Sequence, residues 1–306
     1  MSSSLTSLLV VMVGAQLALQ PPINSALGEH IGKLAAALVS FVVGTMILLL
    51  LVLVSGEAGK LSALGSVPVY ELAGGLIGAT YVATSTFTVA RIGAGAVVAA
   101  TITGQLLSSL AIDGLGLTGV DVVAVDGVRI MGALLLFGGT LLVVGRGRQV
   151  RQERSSGPAR WKADLLPVAA VFAAGLLVGF QHPLNGLLSD SSGELVAGFS
   201  NFVVGTLLLL FLVVVTGRAS KLAGLSGAHA WQFLGGLIGV ISVVVALSAV
   251  SVVGAAGLTA ALVTGQLLGS ILIDRAGAFG LPVVLLTARR LIGVVLLLAG
   301  TLMCVY

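Results

Sequence analysis

Residues 146–162 read RGRQVRQERSSGPARWK and separate two long apolar halves of the chain. This connector holds six of the fifteen basic residues. Basic residues close to the ends of apolar spans resist translocation, so a run of this kind is typical of a cytoplasmic loop. The rest of the chain can therefore be oriented from the connector.

The composition on both sides of the connector is that of a membrane protein. Of 306 residues, 58% are hydrophobic and 8% are charged, whereas a soluble domain carries about a quarter charged residues. Runs such as 34–54 and 195–215 match the roughly 20 residues that cross a bilayer as a helix. Alternation of apolar and polar residues, the signature of a barrel strand, is missing from these runs. The sequence predicts an all-α integral membrane fold.

Polar or glycine-rich breaks divide the apolar sequence into candidate spans, five on each side of the connector. The ten predicted transmembrane helices are 5–26, 34–54, 70–90, 96–112, 120–144, 165–188, 195–215, 231–251, 257–273 and 282–305.

The two halves repeat each other without a gap. A shift of 161 residues aligns TGQLL at 103–107 with TGQLL at 264–268, and GGLIG at 74–78 with GGLIG at 235–239. Such self-similarity indicates an internal duplication. The predicted organisation is a first five-helix repeat (1–145), the connector (146–162) and a second five-helix repeat (163–306).

An odd number of spans in each repeat has a geometric consequence. If the connector lies in the cytoplasm, the second repeat crosses the membrane upside down relative to the first, as in many transporters. With that orientation only Lys60 and Arg129 of the fifteen basic residues fall on the outer side. We expect a multi-pass protein of the bacterial inner membrane, with a cytoplasmic connector and both termini outside.

A Gln-x-Pro-x-Asn motif ends the first helix of each repeat. Gln and Asn four residues apart share one helix face, and the proline between them kinks or opens the helix. Broken helices beside amides are typical of transporter substrate sites, but the amides could also only bridge neighbouring helices. The candidate substrate-binding residues here are Gln20, Asn24, Gln181, Asn185 and His182, which replaces Pro21 in the second repeat and could carry a proton.

Further polar positions recur at the repeat spacing. Gln105 and Gln266 follow Thr-Gly in the fourth helices and are expected on the wall opposite the first amides, although interhelical bonding alone would also explain them. Ser40 and Asn201, in the second helices, could add polar contacts.

Ionisable residues recur as well. Asp113 and Asp274 end the fourth helices, and Arg129 and Arg290 lie some two turns into the fifth. These residues could line a substrate path or act in gating, or they could simply pair at the interface. Glu71 opens the third span, opposite Gln232 in the repeat, and is expected at the membrane interface.

Several function classes lack sequence support. Metalloprotease, Cys-x-x-Cys, P-loop and nucleophile-elbow motifs are missing, which argues against an enzyme. The histidines are too scattered to predict a metal site, and we expect no cofactor. The basic residues sit at span ends rather than in a patch with aromatics, so nucleic acid is not an expected partner.

The fused repeats, the segments TGQLLSSLAID (103–113) and TGQLLGSILID (264–274), and the paired R-x-x-G segments resemble one known family. The chain resembles the YdcZ-type branch of the drug/metabolite transporter (DMT) superfamily, in its fused two-domain form. The resemblance covers nearly the whole chain. It implies two inverted five-helix repeats of the DMT/EamA-like fold, a cavity between them and alternating access.

The expected function is secondary transport of a small polar solute, neutral or zwitterionic, across the inner membrane. A channel-like pore or a lipid-facilitating scaffold remains an alternative, because inverted repeats also build these. The expected partners are the solute and the lipid bilayer, with the chain acting as a monomer of two fused repeats or as a homodimer.

The connector gives a direct test of topology. A cysteine introduced at Ser156, in cells whose other reactive thiols are removed, should be labelled by an impermeant maleimide only after the inner membrane is permeabilised. Labelling of intact cells would contradict the predicted orientation and leave the repeat itself intact.

Overall fold

The computed structural model describes residues 3–117, 126–144 and 158–305. Most of the predicted connector and the start of the predicted fifth span lie outside these residues. The α-helices are α1 (Ser3–Leu17), α2 (Gln20–Ile31), α3 (Lys33–Val54), α4 (Ala73–Ile92), α5 (Ala94–Leu115), α6 (Gly127–Val144), α7 (Pro158–Ser192), α8 (Glu194–Val215), α9 (Leu234–Ala276) and α10 (Ala288–Val305). Short 3₁₀ helices cover Glu57–Gly65, Val69–Leu72, Ala219–Gly227, Ala230–Phe233 and Ala278–Gly280.

These helices confirm the all-α membrane fold. Nine segments of the described chain are long and apolar enough to cross a membrane, and Ala230–Ala246 is a shorter apolar helix. The helices α1 and α2 together form the first span. The long helix α9 consists of two helices joined at Gly254, which has non-helical angles (φ 72°, ψ 164°). Its second part, Gly257–Ala276, is one of the nine segments.

Glycines at the helix junctions follow the repeat. Gly32 joins α2 to α3 and Gly193 joins α7 to α8, and both have φ of 84°. Gly93 joins α4 to α5 with φ of 86°, and Gly254 is its counterpart within α9. A residue with a side chain would be strained at such angles. Glycine at these positions lets the chain reverse direction between packed spans without a long loop.

A pseudo-twofold axis passes between α3 and α8. The rings of Phe41 and Phe202, which are repeat counterparts, lie 5.0 Å apart. One turn on, the hydroxyls of the counterparts Thr45 and Thr206 lie 3.0 Å apart. Contact between a residue and its own counterpart is the property of a twofold interface.

The fifth helices of the two repeats, α6 and α10, pack together and run antiparallel. A Cβ atom at Gly132 would lie 2.9 Å from the carbonyl oxygen of Gly300, and one at Gly139 would lie 2.7 Å from that of Gly293. As the residue number rises along α6, that of the contacting residue on α10 falls. Counterpart helices that run in opposite directions are those of an inverted repeat.

The halves also exchange helices. Gly14 of α1 packs against Gly265 of α9, and Gly175 of α7 packs in the same way against Gly104 of α5. Small residues allow this backbone contact in a membrane, where van der Waals packing replaces the hydrophobic drive. The halves are therefore interleaved in one bundle, while the domain limits 1–145, 146–162 and 163–306 stay predictions.

The two proline motifs behave differently. The first span is interrupted between α1 and α2, with Pro21 and Pro22 in the first turn of α2, where missing N–H groups are tolerated. The helix α7 continues without interruption through Pro183.

The tenth helix begins at Ala288, later than predicted. Residues before it are non-helical, and Val284 donates its N–H to the carbonyl of Asp274.

Adjacent glycines on α6 provide a test of the packing. Gly139→Ala should lower the melting temperature, because the new methyl group meets the backbone of α10 and overpacking costs about 1–3 kcal/mol. Gly138→Ala is the matched control: a Cβ there meets nothing within 4 Å, and alanine favours the helix by about 0.5–1 kcal/mol. Equal effects of the two changes on thermal unfolding in detergent would contradict this packing.

Candidate functional site

The first amide cluster consists of Gln20, Asn24 and Ser40, together with the carbonyl of Gly235 from the other half. Gln20 begins α2 and donates from Nε2 to the Gly235 oxygen at 3.0 Å. Asn24 follows one turn later with 0% exposure, beside Gly235 and Ser40. Its Nδ2 and Oδ1 atoms lack hydrogen-bond partners among the described residues. A buried amide with unused donor and acceptor is costly, by about 1–3 kcal/mol for each group, unless a ligand completes it.

The second amide cluster is its repeat counterpart: Gln181, Asn185 and Asn201 with the carbonyl of Gly74. Gln181 donates from Nε2 to the Gly74 oxygen, also at 3.0 Å. Asn201 donates from Nδ2 to Oδ1 of Asn185 at 2.9 Å. The first cluster has Ser40 where the second has Asn201, so Asn24 lacks the amide donor that Asn185 has.

Glycines on the third helices make both clusters possible. A Cβ at Gly78 would lie 3.0 Å from Nε2 of Gln181, and one at Gly239 would lie 3.1 Å from Nε2 of Gln20. A larger residue would therefore push the amide away from its carbonyl. The paired GGLIG segments contain these glycines and both acceptor carbonyls, but the sequence showed them only as markers of the repeat.

The other polar candidates separate into different environments. Nε2 of Gln105 lies 2.8 Å from Nε2 of His182, so this pair joins α5 to α7. The repeat counterpart of His182 is Pro21, which has no such ring, so Gln266 has no equivalent partner. The structure thus places Gln105 against His182 rather than within an amide cluster.

Asp274 and Arg290 form a buried ion pair, here named the connector-end pair because it lies at the end of the bundle where α6 ends and α7 begins. Arg290 donates from Nη2 to Oδ2 of Asp274 at 2.6 Å, and Asp274 is 0% exposed. The same carboxylate accepts the backbone N–H groups of Ala94 and Gly95 at 2.7 and 3.0 Å. These begin α5 in the other half, where the helix dipole favours a negative charge. The pair therefore fastens the two halves together.

Asp113 and Arg129 are the repeat counterparts, here named the terminal-end pair because they lie at the opposite end. Their separation is 3.4 Å, and the side chain of Asp113 is 34% exposed. A Cβ at Gly93 would lie 3.1 Å from Oδ1 of Asp274, but one at its counterpart Gly254 would meet nothing within 4 Å. The terminal-end pair is thus looser, and among the described residues Gly254 has no carboxylate contact like that of Gly93.

Neighbouring contacts show the same difference between the ends. At the connector end, Gly224 packs so closely on His30 that a Cβ there would lie 2.6 Å from its carbonyl oxygen. At the terminal end, the counterparts Ala63 and Ser191 help to line a cavity of about 360 Å³. A second cavity of about 430 Å³ at this end is lined by Glu57, Lys60, Gly193, Glu194, Leu195, Val244 and Ser248. Among the described residues, the packing is thus closer at the connector end, and both cavities lie at the terminal end.

Glu71, which the sequence places at the start of the third span, is buried inside the protein. It is 5% exposed, and its Oε2 atom has no hydrogen-bond partner in the described part of the chain. The short 3₁₀ helix that carries it, Val69–Leu72, packs against α7 and α8. Tertiary packing therefore buries a residue that hydropathy assigns to the start of a span.

The family comparison agrees with this architecture. The family model described as "Putative inner membrane exporter, YdcZ" of the DMT type matches residues 5–142 and 166–303. The chain belongs to this family. The model matches twice, once in each half, so the resemblance to the fused YdcZ-type form is confirmed. No curated protein matches the chain.

Family membership supports a transport function in a multi-pass protein of the inner membrane. It points to transport rather than catalysis. It leaves open the solute, the coupling and the orientation of the termini.

The two ion pairs make a matched comparison. Asp274→Asn should destabilise the protein by about 3–5 kcal/mol, because it leaves a buried guanidinium without its charge partner. Asp113→Asn should cost about 0–1 kcal/mol, as for partly exposed pairs. Thermal unfolding of both variants in the same detergent tests this, and similar losses would contradict the asymmetry of the two ends.

Proposed function

We propose that this protein is a secondary transporter that moves a small polar solute, neutral or zwitterionic, by alternating access. The observation that carries the proposal is the pair of amide clusters. Each is built from both halves, and the amide of Asn24 keeps both a donor and an acceptor unused. Relative motion of the halves would remodel both clusters, which links solute binding to conformational change.

The chemistry of the clusters favours solutes that exchange hydrogen bonds. Amide side chains offer a donor and an acceptor together and carry no charge. In the apolar interior they favour a ligand with several polar atoms over hydrocarbon, because an amide group left without a hydrogen bond there has a high free-energy cost. The proposed binding residues are Gln20, Asn24, Ser40, Gln181, Asn185 and Asn201, together with Gln105, His182 and Gln266 of the fourth, sixth and ninth spans.

The unequal ends support alternating access. The connector-end pair is buried and fastens α5, whereas the terminal-end pair is looser and lies at the same end of the bundle as the two cavities. In the opposite state, the roles would exchange: Asp113 and Arg129 would fasten the helix junction at Gly254, and Asp274 would release the one at Gly93. Because the two repeats carry the same residue types at equivalent positions, either end could be closed by the same kind of contact.

A carrier fits the axis better than an open pore does. The rings of Phe41 and Phe202 pack on the axis, and the hydroxyls of Thr45 and Thr206 lie one turn away. Flux measured in proteoliposomes separates the alternatives. Saturable exchange is expected of the carrier, whereas nonsaturating flux at much higher turnover would indicate a channel.

The amide clusters can be tested directly. A thermal-shift screen of the purified protein against polar metabolites first identifies a ligand, because binding to the folded state raises the melting temperature. Gln20→Ala and Gln181→Ala should then abolish exchange of that ligand in proteoliposomes while the protein stays folded, since each removes a hydrogen bond between the halves.

Thr80→Ala is the control for these variants. Thr80 lies on α4 but is exposed, and its hydroxyl bonds only to its own helix, at the carbonyl of Leu76. Its exchange rate should match that of the wild type. Unchanged exchange by the Gln20 or Gln181 variant would remove that residue from the site.

A further inference from the structure

We infer that Glu71 is the anionic part of a cation-binding subsite, next to the second amide cluster, that takes the ammonium group of the transported solute. The inference rests on the proposed transport function and narrows its solute class from neutral or zwitterionic to ammonium-bearing.

The first support is the burial of Glu71. The residue is 5% exposed, and its Oε2 atom lacks a hydrogen-bond partner within the described residues. None of the ion pairs described for the chain includes it. Lys60, a basic residue of the same end, pairs with Glu57 at 3.3 Å instead. A carboxylate out of contact with water requires a compensating charge or hydrogen bond.

The second support is its position in the 3₁₀ helix Val69–Leu72, which leads directly into α4. Glu71, Gly74 and Gly78 follow one another at spacings of three and four residues, so they share one face. Along that face, Gly78 adjoins Gln181, and a Cβ at Gly74 would lie 2.8 Å from Oδ1 of Asn201. Glu71 therefore stands one turn beyond Asn201, toward the terminal end.

The third support is the kind of atom left unsatisfied. Oδ1 of Asn201 is buried without a partner, as is Oε2 of Glu71. Asn201 already uses its Nδ2 to donate to Asn185. Both free atoms are acceptors, one of them on a carboxylate, and together they match a cationic donor. An anion or an apolar group would make neither bond.

A cavity lies on the same side of the second amide cluster as this subsite. The cavity of about 360 Å³ is lined by Ser189 and Ser192 of α7. These residues lie one and two turns beyond Asn185 on the same helix face, toward the terminal end. The cavity and Glu71 therefore both lie beyond the second cluster, toward the terminal end.

The repeat shows that packing does not require a carboxylate at this place. The counterpart of Glu71 is Gln232, which is equally buried and accepts the backbone N–H of His229 at 2.9 Å. An amide of the same shape thus fits the equivalent position. This makes Glu71→Gln a variant that removes the charge and keeps the size.

The test uses purified full-length protein and three chloride salts at equal ionic strength: methylammonium, sodium and choline. Methylammonium should raise the melting temperature of the wild type above that in choline by roughly 2–4 °C, because choline has no N–H to donate. Glu71→Gln should lose this difference. Glu57→Gln removes a carboxylate from the same end, outside the subsite, and should keep it.

Each other outcome contradicts the inference. A rise with sodium but not with methylammonium would overturn the assignment to an ammonium group. Equal shifts in the wild type and Glu71→Gln would overturn the cation subsite. Solute exchange by the same variants separates this failure from that of the proposed function: exchange that persists in Glu71→Gln with unchanged solute preference would leave transport standing without the subsite.

Discussion

Hydrocarbon offers no hydrogen bonds, so each buried polar group of this chain must find its partner inside the protein. Several of these partners come from the opposite half. Gln20 bonds to a carbonyl of α9, Gln181 to one of α4, and Asp274 to the first N–H groups of α5. Neither half could satisfy these groups alone in a membrane. Each repeat therefore depends on the other for the hydrogen bonds of these buried groups.

The symmetry holds at the axis and is broken at several positions away from it. Phe41 meets Phe202 and Thr45 meets Thr206, as a twofold interface requires. Away from the axis, Ser40 corresponds to Asn201, Pro21 to His182 and Glu71 to Gln232. These departures coincide with the unused hydrogen-bonding atoms and with the Gln105–His182 pair. A packing role would favour identical residues at equivalent places, so the departures mark the positions where solute chemistry can differ between the halves.

Some of these features could be predicted from the sequence and others could not. The spans follow from hydropathy, and the fold from the repeat. The 161-residue shift also indicated that Asp113 corresponds to Asp274 and Arg129 to Arg290. The burial of Glu71 was not visible, because it depends on how α7 and α8 cover a short 3₁₀ helix. The acceptors of Gln20 and Gln181 were missed because they are backbone carbonyls, which have no side-chain signal in a sequence. The unpartnered state of Asn24 depends on Ser40 lying beside it rather than a second amide.

The repeat also bears on the energetics of the proposed cycle. A carrier must visit two states whose free energies differ by only a few kcal/mol, or one of them is hardly populated. A buried ion pair that closes one end contributes a large gross interaction, and breaking it without replacement would exceed that range. Because Asp113 and Arg129 repeat Asp274 and Arg290, a closure lost at one end can be replaced by the same chemistry at the other. The free-energy difference between the two states then depends on the residues around the two pairs, which differ between the ends. Through these residues a bound solute could shift the equilibrium.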